Sequence, residues 1–227
     1  MVSEYILFPG DTAVRRMDVA TPNASTDGSF PKTWRFEEGS WWLYKLQPSE
    51  STEAEVEISR VLREVGWETA EYEYVGRFRK RVKTRNFLKA HEFFEPYDSF
   101  RFFFDNPDDD DEVIYKNIAS LGKAFEIAWK RILLADALFA NTDRHMRNFG
   151  FVRSSLTGEV LRLAPNFDNN QAYLANPGGR YSEGMLKMYM KQADDADRKN
   201  LQELCEALSA HPYLDQAQEA GRAFLNA

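Results

Sequence analysis

Residues 112–150 place the strongest constraint on the fold. The run VIYKNIASLGKAFEIAWKRILLADALFA carries apolar side chains at helical spacing from about residue 112 to 140, with a break expected near Gly122. The polar stretch NTDRHMRNFG, residues 141–150, follows it at once. This pattern predicts a buried helix at the centre of an α-rich half of the protein. The C-terminal end of that helix would be a rigid base for the polar loop that leaves it.

The chain before residue 90 has the pattern of a small antiparallel sheet with one helix. TWRFEEG and SWWLYKLQ are aromatic runs joined by a hairpin signal, and ETAEYEYVGRF alternates glutamate with tyrosine or valine. Between them, STEAEVEISRVLREVG carries one apolar stripe, with Ser51 or Thr52 as the expected N-cap and Gly66 as the end. A β-rich half followed by an α-rich half predicts an α+β protein with two lobes, residues 1–95 and 96–227.

The α-rich half should contain two further elements beyond the polar loop. EVLRLAPNFD is expected to form a short strand that ends in a polar turn, and the chain from about residue 181 onward should be helical, with an interruption near AHPYLD. The aromatic run FRFFF at 100–104 is either a patch that binds a partner or, more commonly, core where the two halves meet.

Charge and composition limit the function classes. A net charge of −7 argues weakly against nucleic acid or an anionic membrane as the main partner, because both favour a basic surface. The basic run at 77–85 and the acidic run at 105–112 are interpreted as solvated surface. The single cysteine, Cys205, excludes an intramolecular disulfide and has the helical spacing of a core residue. No apolar stretch reaches about 18 residues, so no membrane span is expected, and a reducing cytoplasm fits best.

Three polar side chains in the second half have the spacing that phosphoryl transfer requires. Asp143 and Asn148 are five positions apart in the loop, and Asp168 follows one strand and one turn later. One carboxylate can orient the attacking hydroxyl, while an amide oxygen and a second carboxylate can hold Mg²⁺ against nucleotide phosphates. The five-residue step from Asp to Asn is also the spacing of the protein-kinase catalytic loop.

The order Asp-Arg-His in NTDRHMRNFGF, continued by LAPNFDNNQAYL, resembles the HipA-like serine/threonine kinases. Three upstream segments are also similar to motifs of that family: STDGSFPKTW to its nucleotide loop, WLYKLQP to its strand lysine, and AEVEISRVLREVG to its glutamate helix. The resemblance covers about residues 24–175 with four motifs in the family's order. It implies a protein-kinase-like fold with a small β-rich N-lobe and a mainly α-helical C-lobe, in a short member with a single kinase domain.

In the C-lobe, the resemblance implies that Asp143 is the catalytic base or the carboxylate that orients the substrate. Asn148 and Asp168 would coordinate magnesium, and His145 would brace the catalytic loop without reacting. Asn169 departs from the many kinases that have glycine after this aspartate, which leaves the mobility of the following segment open.

In the N-lobe, the resemblance implies that Lys45 contacts the phosphates of ATP and pairs with Glu55. Gly28 would let the nucleotide loop approach the phosphates, and Lys32 would hold that loop from its end. Ser25 and Thr26 stand just before Gly28. Related kinases carry a serine at the position of Ser25, and phosphorylation of this loop is a self-inhibiting mode of the family. The alternative is that the two hydroxyls only make turn hydrogen bonds.

The resemblance implies an ATP- and Mg²⁺-dependent kinase of serine or threonine hydroxyls in a protein substrate. A HipA-like context also implies a toxin or regulatory kinase with a possible antitoxin partner protein. No direct contact with nucleic acid and no membrane are expected. Two alternatives stay open: a kinase of a small molecule or a lipid, and a catalytically silent module that uses the fold to hold a partner.

Overall fold

The computed structural model describes residues 30–76, 81–172, 195–211 and 215–225. The strands are β1 Lys32–Glu37, β2 Ser40–Leu46, β3 Tyr72–Tyr74, β4 Arg81–Arg85, β5 Glu92–Pro96, β6 Gly150–Ser154 and β7 Val160–Leu163. The helices are α1 Ser49–Glu64, α2 Tyr97–Phe100, α3 Asp111–Ser120, α4 Lys123–Phe139, α5 Asp195–Leu208 and α6 Asp215–Leu225, with a 3₁₀ turn at Arg101–Phe103. The mixed content confirms the predicted α+β class.

The first sheet has the order β1-β2-β4-β3, and every neighbouring pair is antiparallel. The hairpin predicted from the two aromatic runs is β1–β2, and its register sets Lys32 opposite Lys45. Directly opposite residues of an antiparallel pair point to the same face of the sheet, so the two lysines share one face.

Helix α1 begins two to three residues before the predicted cap. Pro48 occupies the N-cap position with φ −54° and ψ 153°, and no side chain caps the helix. The prediction of Ser51 or Thr52 as the N-cap is therefore wrong. The fixed φ of proline favours a helix that starts directly after it, which leaves Ser51 and Thr52 buried within the first turns.

Helices α1 and α4 share the main hydrophobic core. Ile58 and Leu62 of α1 belong to one buried cluster with Leu134 and Leu138 of α4, and each is at most 1% exposed. Leu204 of α5 completes the same cluster. The glutamate-bearing helix is thus packed onto the helix that carries the polar loop at its C-terminal end.

The second sheet has the order β5-β6-β7. It pairs β5, which precedes the polar loop in the chain, with β6, which follows it. β5, which spans the position of the division expected at residue 95, pairs with β6 from Glu92↔Ser154 to Pro96↔Gly150. A Cβ atom on Gly150 would lie 2.2 Å from the backbone oxygen of Glu95. Only glycine allows the two backbones to approach this closely.

The predicted helical run is confirmed as α3 and α4. The two helices are separated at Leu121 and Gly122, where Gly122 adopts φ +124°, and α4 ends at Ala140 in the left-handed region. The left-handed conformation of Ala140 at the C-cap ends α4, and the chain continues directly into the polar loop.

The C-terminal helices α5 and α6 lie where helix was predicted, although residues 181–194 fall outside the described part of the chain. Cys205 is 6% exposed within the main core, as its spacing indicated. Within the described residues no helix is both long and apolar enough to cross a membrane.

The aromatic run at 100–104 divides into a buried and an exposed part. Phe100 is 2% exposed and belongs to the core around β6, whereas Phe102 and Phe103 are 69% and 68% exposed. The interpretation of the run as core therefore holds for Phe100 and not for the two phenylalanines of the 3₁₀ turn.

Candidate active site

A buried lysine joins the two halves of the protein. Lys45 Nζ, on β2, lies 2.5 Å from Glu55 Oε1 on α1 and 3.0 Å from Asp168 Oδ1 in the segment after β7. The amide of Gln47 donates to the other oxygen of Glu55 at 2.7 Å. Glu55 is completely buried and Lys45 is 7% exposed. Sheet, helix and second lobe therefore meet at one ion cluster.

Charges shift the pKa values within this cluster. Burial acts to lower the pKa of Lys45, but the carboxylates of Glu55 and Asp168 raise it well above its ordinary value. Burial acts to raise the pKa of Asp168, but the charges of Lys45, Lys32 and Arg144 lower it below its ordinary value. Lys45 is therefore held as a cation and Asp168 as an anion.

The backbone at Asp168 is in an unusual conformation. Its φ is +60°, a region that residues other than glycine rarely adopt. The backbone N–H of Asp168 donates to the hydroxyl oxygen of the buried Tyr72 at 3.0 Å, and the amide of Asn170 donates to its Oδ1 at 2.9 Å. These contacts hold a conformation that costs free energy, which is a feature common at functional sites.

The polar loop after α4 holds Asp143 and Asn148 together. The backbone N–H of Asp143 donates to the side chain of Asn141 at 3.3 Å, and the amide Nδ2 of Asn148 donates to the backbone oxygen of Asp143 at 2.9 Å. Asn148 is 6% exposed, whereas Asp143 is partly exposed. The carboxylate of Asp143 makes no hydrogen bond or ion pair within the described residues.

Arg144, to which the sequence analysis gave no role, anchors this loop. Its guanidinium forms a two-pronged ion pair with Asp136 of α4, with Nε–Oδ2 and Nη2–Oδ1 distances of 2.8 Å each. Asp136 is 1% exposed, and Asn141 also donates to its Oδ1 at 3.0 Å. The signal in the sequence was Asp136 itself, because a carboxylate inside the apolar run LLADALF requires a buried partner.

The same guanidinium connects the loop to the segment that carries Asp168. Arg144 Nη1 donates to the backbone oxygens of Asn148 at 2.8 Å and Phe167 at 2.7 Å. Arg144 Nη2 donates to the side-chain oxygens of Asn166 and Asn169, each at 3.0 Å. The residues on either side of Asp168 are thus fixed to the loop that carries Asp143.

His145 and Asn169 occupy simpler positions. The exposed His145 accepts a hydrogen bond from the backbone N–H of Arg147 at 3.2 Å, so its side-chain contact is local to the loop. Asn169 is 1% exposed, and its side-chain oxygen accepts from both Arg144 and Asn141. An asparagine after Asp168, in place of glycine, therefore fixes this part of the segment.

Comparison with known proteins identifies the family. The model of the HipA-like C-terminal domain matches residues 20–226. The chain belongs to the HipA-like C-terminal domain family. This confirms the resemblance drawn from the motifs. A comparison with curated protein sequences finds no match.

Two solved structures of HipA-like proteins share the fold. The Helicobacter pylori proinflammatory kinase CtkA is similar with a TM-score of 0.62 and 14% identity, over 86% of this chain and 90% of that one. HipA of Shewanella oneidensis MR-1, from its toxin–antitoxin complex with HipB and operator DNA, is similar with a TM-score of 0.57 and 14% identity, over 94% of this chain and 68% of that one. The fold is therefore kinase-like, as predicted.

Two of the residues assigned by resemblance to the HipA-like family, Ser25 and Gly28, lie outside the described residues, and their roles stay predictions. Lys32 is the first residue of β1 and lies near enough for its charge to lower the pKa of Asp168. Its charge therefore acts on the same carboxylate as that of Lys45.

Three oxygen-bearing groups of this HipA-like site remain open within the described residues. Asn148 directs Nδ2 to the loop backbone, which leaves its Oδ1 without a partner. Asp168 uses Oδ1 for Lys45 and Asn170, which leaves Oδ2. The third open group is the carboxylate of Asp143. An amide oxygen and a carboxylate oxygen of this kind are suitable ligands for Mg²⁺, so the residues present fit the ion.

Proposed function

We propose that this protein is an ATP-dependent kinase that transfers the γ-phosphoryl group to a serine or threonine hydroxyl of a protein substrate. The observation that carries the proposal is the cluster of Lys45, Glu55 and Asp168, which lies beside a loop with an uncommitted carboxylate at Asp143 and an uncommitted amide oxygen at Asn148. Phosphoryl transfer depends on positioning and on charge stabilisation, and these groups can supply both.

Lys45 would bind the phosphates of the nucleotide. It is a cation that two carboxylates hold in a fixed position, and Lys32 adds a second positive charge on the same face of the sheet. Asn148 and Asp168 would hold Mg²⁺ through their open oxygens. When bound, the ion would neutralise charge on the phosphates during transfer.

Asp143 would orient the attacking hydroxyl and accept its proton. The oxygen of the hydroxyl forms a bond to the γ-phosphorus while the bond from that phosphorus to the β-phosphate oxygen breaks, and ADP leaves. A carboxylate free of protein partners is available for this role, whereas a carboxylate in a saturated ion pair is not.

The same open groups argue against a catalytically silent module. A fold that only holds a partner has no need for three oxygen groups without protein ligands beside a buried lysine. A kinase of a small molecule is the second candidate, since Asp143 would serve either kind of hydroxyl.

An antitoxin partner is proposed from the family context. The similar HipA structure contains HipB and operator DNA, and an equivalent protein partner for this chain would fit a toxin or regulatory kinase. Action in the cytoplasm would be consistent with that role.

Incubation of the purified protein with γ-labelled ATP, magnesium and a cell extract tests the proposed activity. We expect label in protein at serine or threonine, located by mass spectrometry, and none with Asp143→Asn. Label confined to small molecules would indicate the second candidate. Absence of transfer by the wild-type protein, or equal transfer by Asp143→Asn, would contradict the assignment.

A further inference from the structure

Phe102 and Phe103 form an exposed aromatic pair that the proposed chemistry does not use. They are 69% and 68% exposed, although large apolar side chains normally favour burial. Phe103 stacks on the buried Phe100 with ring centroids 5.0 Å apart, and Phe100 packs on Phe151 at 4.4 Å. Phe103 is therefore in contact with the core through Phe100.

The segment that follows this pair is strongly acidic. Residues 105–112 contain six acidic residues and no basic one. Glu112 pairs with Lys116 and Asp110 caps α3, but Asp105, Asp109 and Asp111 make no ion pair within the described residues. The acidic segment is exposed, apart from the half-buried Pro107. Its charge is thus available to a partner.

Two contacts fix the acidic segment, one beside the aromatic pair and one on α3. Arg101 lies 5.0 Å from the ring centroid of Phe102 and donates to the backbone oxygen of Pro107 at 3.4 Å. The amide of Asn117 donates to the backbone oxygen of Asn106 at 2.8 Å. Aromatic and acidic residues therefore form one continuous surface.

This surface is connected to the catalytic loop through its own backbone. The N–H groups of Tyr97 and Asp98 donate to the backbone oxygens of Phe149 and Met146, each at 3.0 Å. Only a helical stretch of a few residues separates Asp98 from Phe102. At a rise of about 1.5–2 Å per residue, the aromatic pair begins on the order of 10 Å from the loop that carries Asp143.

We propose that Phe102, Phe103 and the acidic segment 105–112 form a docking surface for a basic segment of the protein substrate that carries apolar side chains. The aromatic pair would take the apolar side chains, and the unpaired carboxylates would take the lysine or arginine charges. The position beside the catalytic loop would bring the acceptor hydroxyl of the same substrate to Asp143. This inference rests on the proposed kinase function.

Direct binding tests the surface without any catalytic step. The probe is a short fluorescein-labelled peptide of alternating arginine and leucine, measured by fluorescence anisotropy without ATP. The comparison peptides alternate arginine with serine and glutamate with leucine. We expect the arginine–leucine peptide to bind at least about tenfold more tightly than the arginine–serine peptide, and the glutamate–leucine peptide not to bind.

Variants locate the binding. The double variant Phe102→Ser, Phe103→Ser should bind the arginine–leucine peptide about tenfold more weakly, at the level of the arginine–serine peptide. The double variant Asp109→Asn, Asp111→Asn should bind both arginine peptides more weakly. The matched control is Leu156→Ser, because Leu156 is also highly exposed, at 73%, and lies elsewhere on the surface. Thermal melts confirm that each variant is folded.

Equal binding of the arginine–leucine peptide by wild type and the double phenylalanine variant would overturn the docking surface. A second readout uses a substrate found in the labelling experiment: the double variant should raise KM and leave kcat unchanged. An unchanged KM would also overturn the inference. Peptide binding that persists while no phosphoryl transfer occurs would mean that the kinase proposal had failed and the surface had not.

Discussion

Arg144 and Lys45 are two cations with little exposed surface at the same site, but their partners differ in kind. Arg144 binds Asp136, backbone oxygens and asparagine side chains, all of which belong to the scaffold. Lys45 binds Glu55 and Asp168, and Asp168 keeps one oxygen free within the described residues. The difference indicates two roles: Arg144, whose guanidinium binds only the scaffold, fixes geometry, and the incomplete lysine cluster leaves positions for ligands.

Removal of the arginine should have the largest effect on stability. Arg144→Ala leaves Asp136 buried without its counter-ion, and we expect the free energy of unfolding to fall by about 3–5 kcal/mol. Urea denaturation measures it. Arg144→Lys keeps the charge but loses the planar guanidinium that binds with two prongs. Its free energy of unfolding should lie between those of the wild type and Arg144→Ala.

Arg147→Ala is the matched control for the arginine. Arg147 is 66% exposed and contacts Asp98 at 3.4 Å, so its loss should cost less than about 1 kcal/mol. If Arg144→Ala loses as little unfolding free energy as Arg147→Ala, the contacts of Arg144 are not what holds the loop.

Asp143→Asn should show the opposite profile. We expect phosphoryl transfer to fall by about 10²–10⁴-fold, because the group that accepts the proton is lost. The unfolding free energy should change by less than about 0.5 kcal/mol, since the carboxylate binds nothing within the described residues. Rate assays measure the loss of phosphoryl transfer, and calorimetry with ATP measures the affinity for the nucleotide. A loss of ATP affinity as large as the loss of turnover would make Asp143 a structural or metal-binding residue.

The sequence predicted the elements that carry the site better than the contacts that fix it. Strong periodicity identified α1 and α4, and Lys45 and Glu55 followed from the motifs. Strands β5 and β6 were not identified, because EFFEP and GFVRS are short and acquire strand geometry by pairing with each other.

The role of Arg144 could not be read from spacing. Its partners Asp136, Asn166 and Asn169 are 8, 22 and 25 positions away, and no single helix or strand contains them together with Arg144. Only the fold brings them together, by ending α4 at Ala140 and returning the chain through β6 and β7.

Acidification should weaken the lysine cluster through Asp168. Because the pKa of Asp168 is lowered in the folded state, its contribution to stability is complete above the unfolded pKa and disappears as the pH falls through the folded value. At neutral pH we expect the unfolding free energy of the wild type to exceed that of Asp168→Asn by about 1.5 kcal/mol. This difference should close as the pH falls below 3.8, the ordinary pKa of an aspartate. Urea denaturation over a pH series measures it. A constant gap would mean that Asp168 is not held as an anion.

A smaller effect than that of Asp168 itself should come from the hydroxyl that supports it. Tyr72→Phe removes the acceptor of the Asp168 backbone N–H, and we expect a loss of about 1 kcal/mol in unfolding free energy. Tyr44→Phe is the control, because the hydroxyl of Tyr44 donates to Glu37 on the outer hairpin, away from the ion cluster. An unfolding free energy of Tyr72→Phe equal to that of the wild type would show that the strained backbone at Asp168 does not depend on Tyr72.

Calorimetric titration with ATP, in magnesium and in a metal chelator, tests most directly whether the open oxygens of Asn148 and Asp168 form a metal site. We predict that the wild-type protein binds ATP clearly more tightly with magnesium, and that Asp168→Asn loses this difference. Equal ATP binding in the two conditions, or no binding in either, would contradict the account.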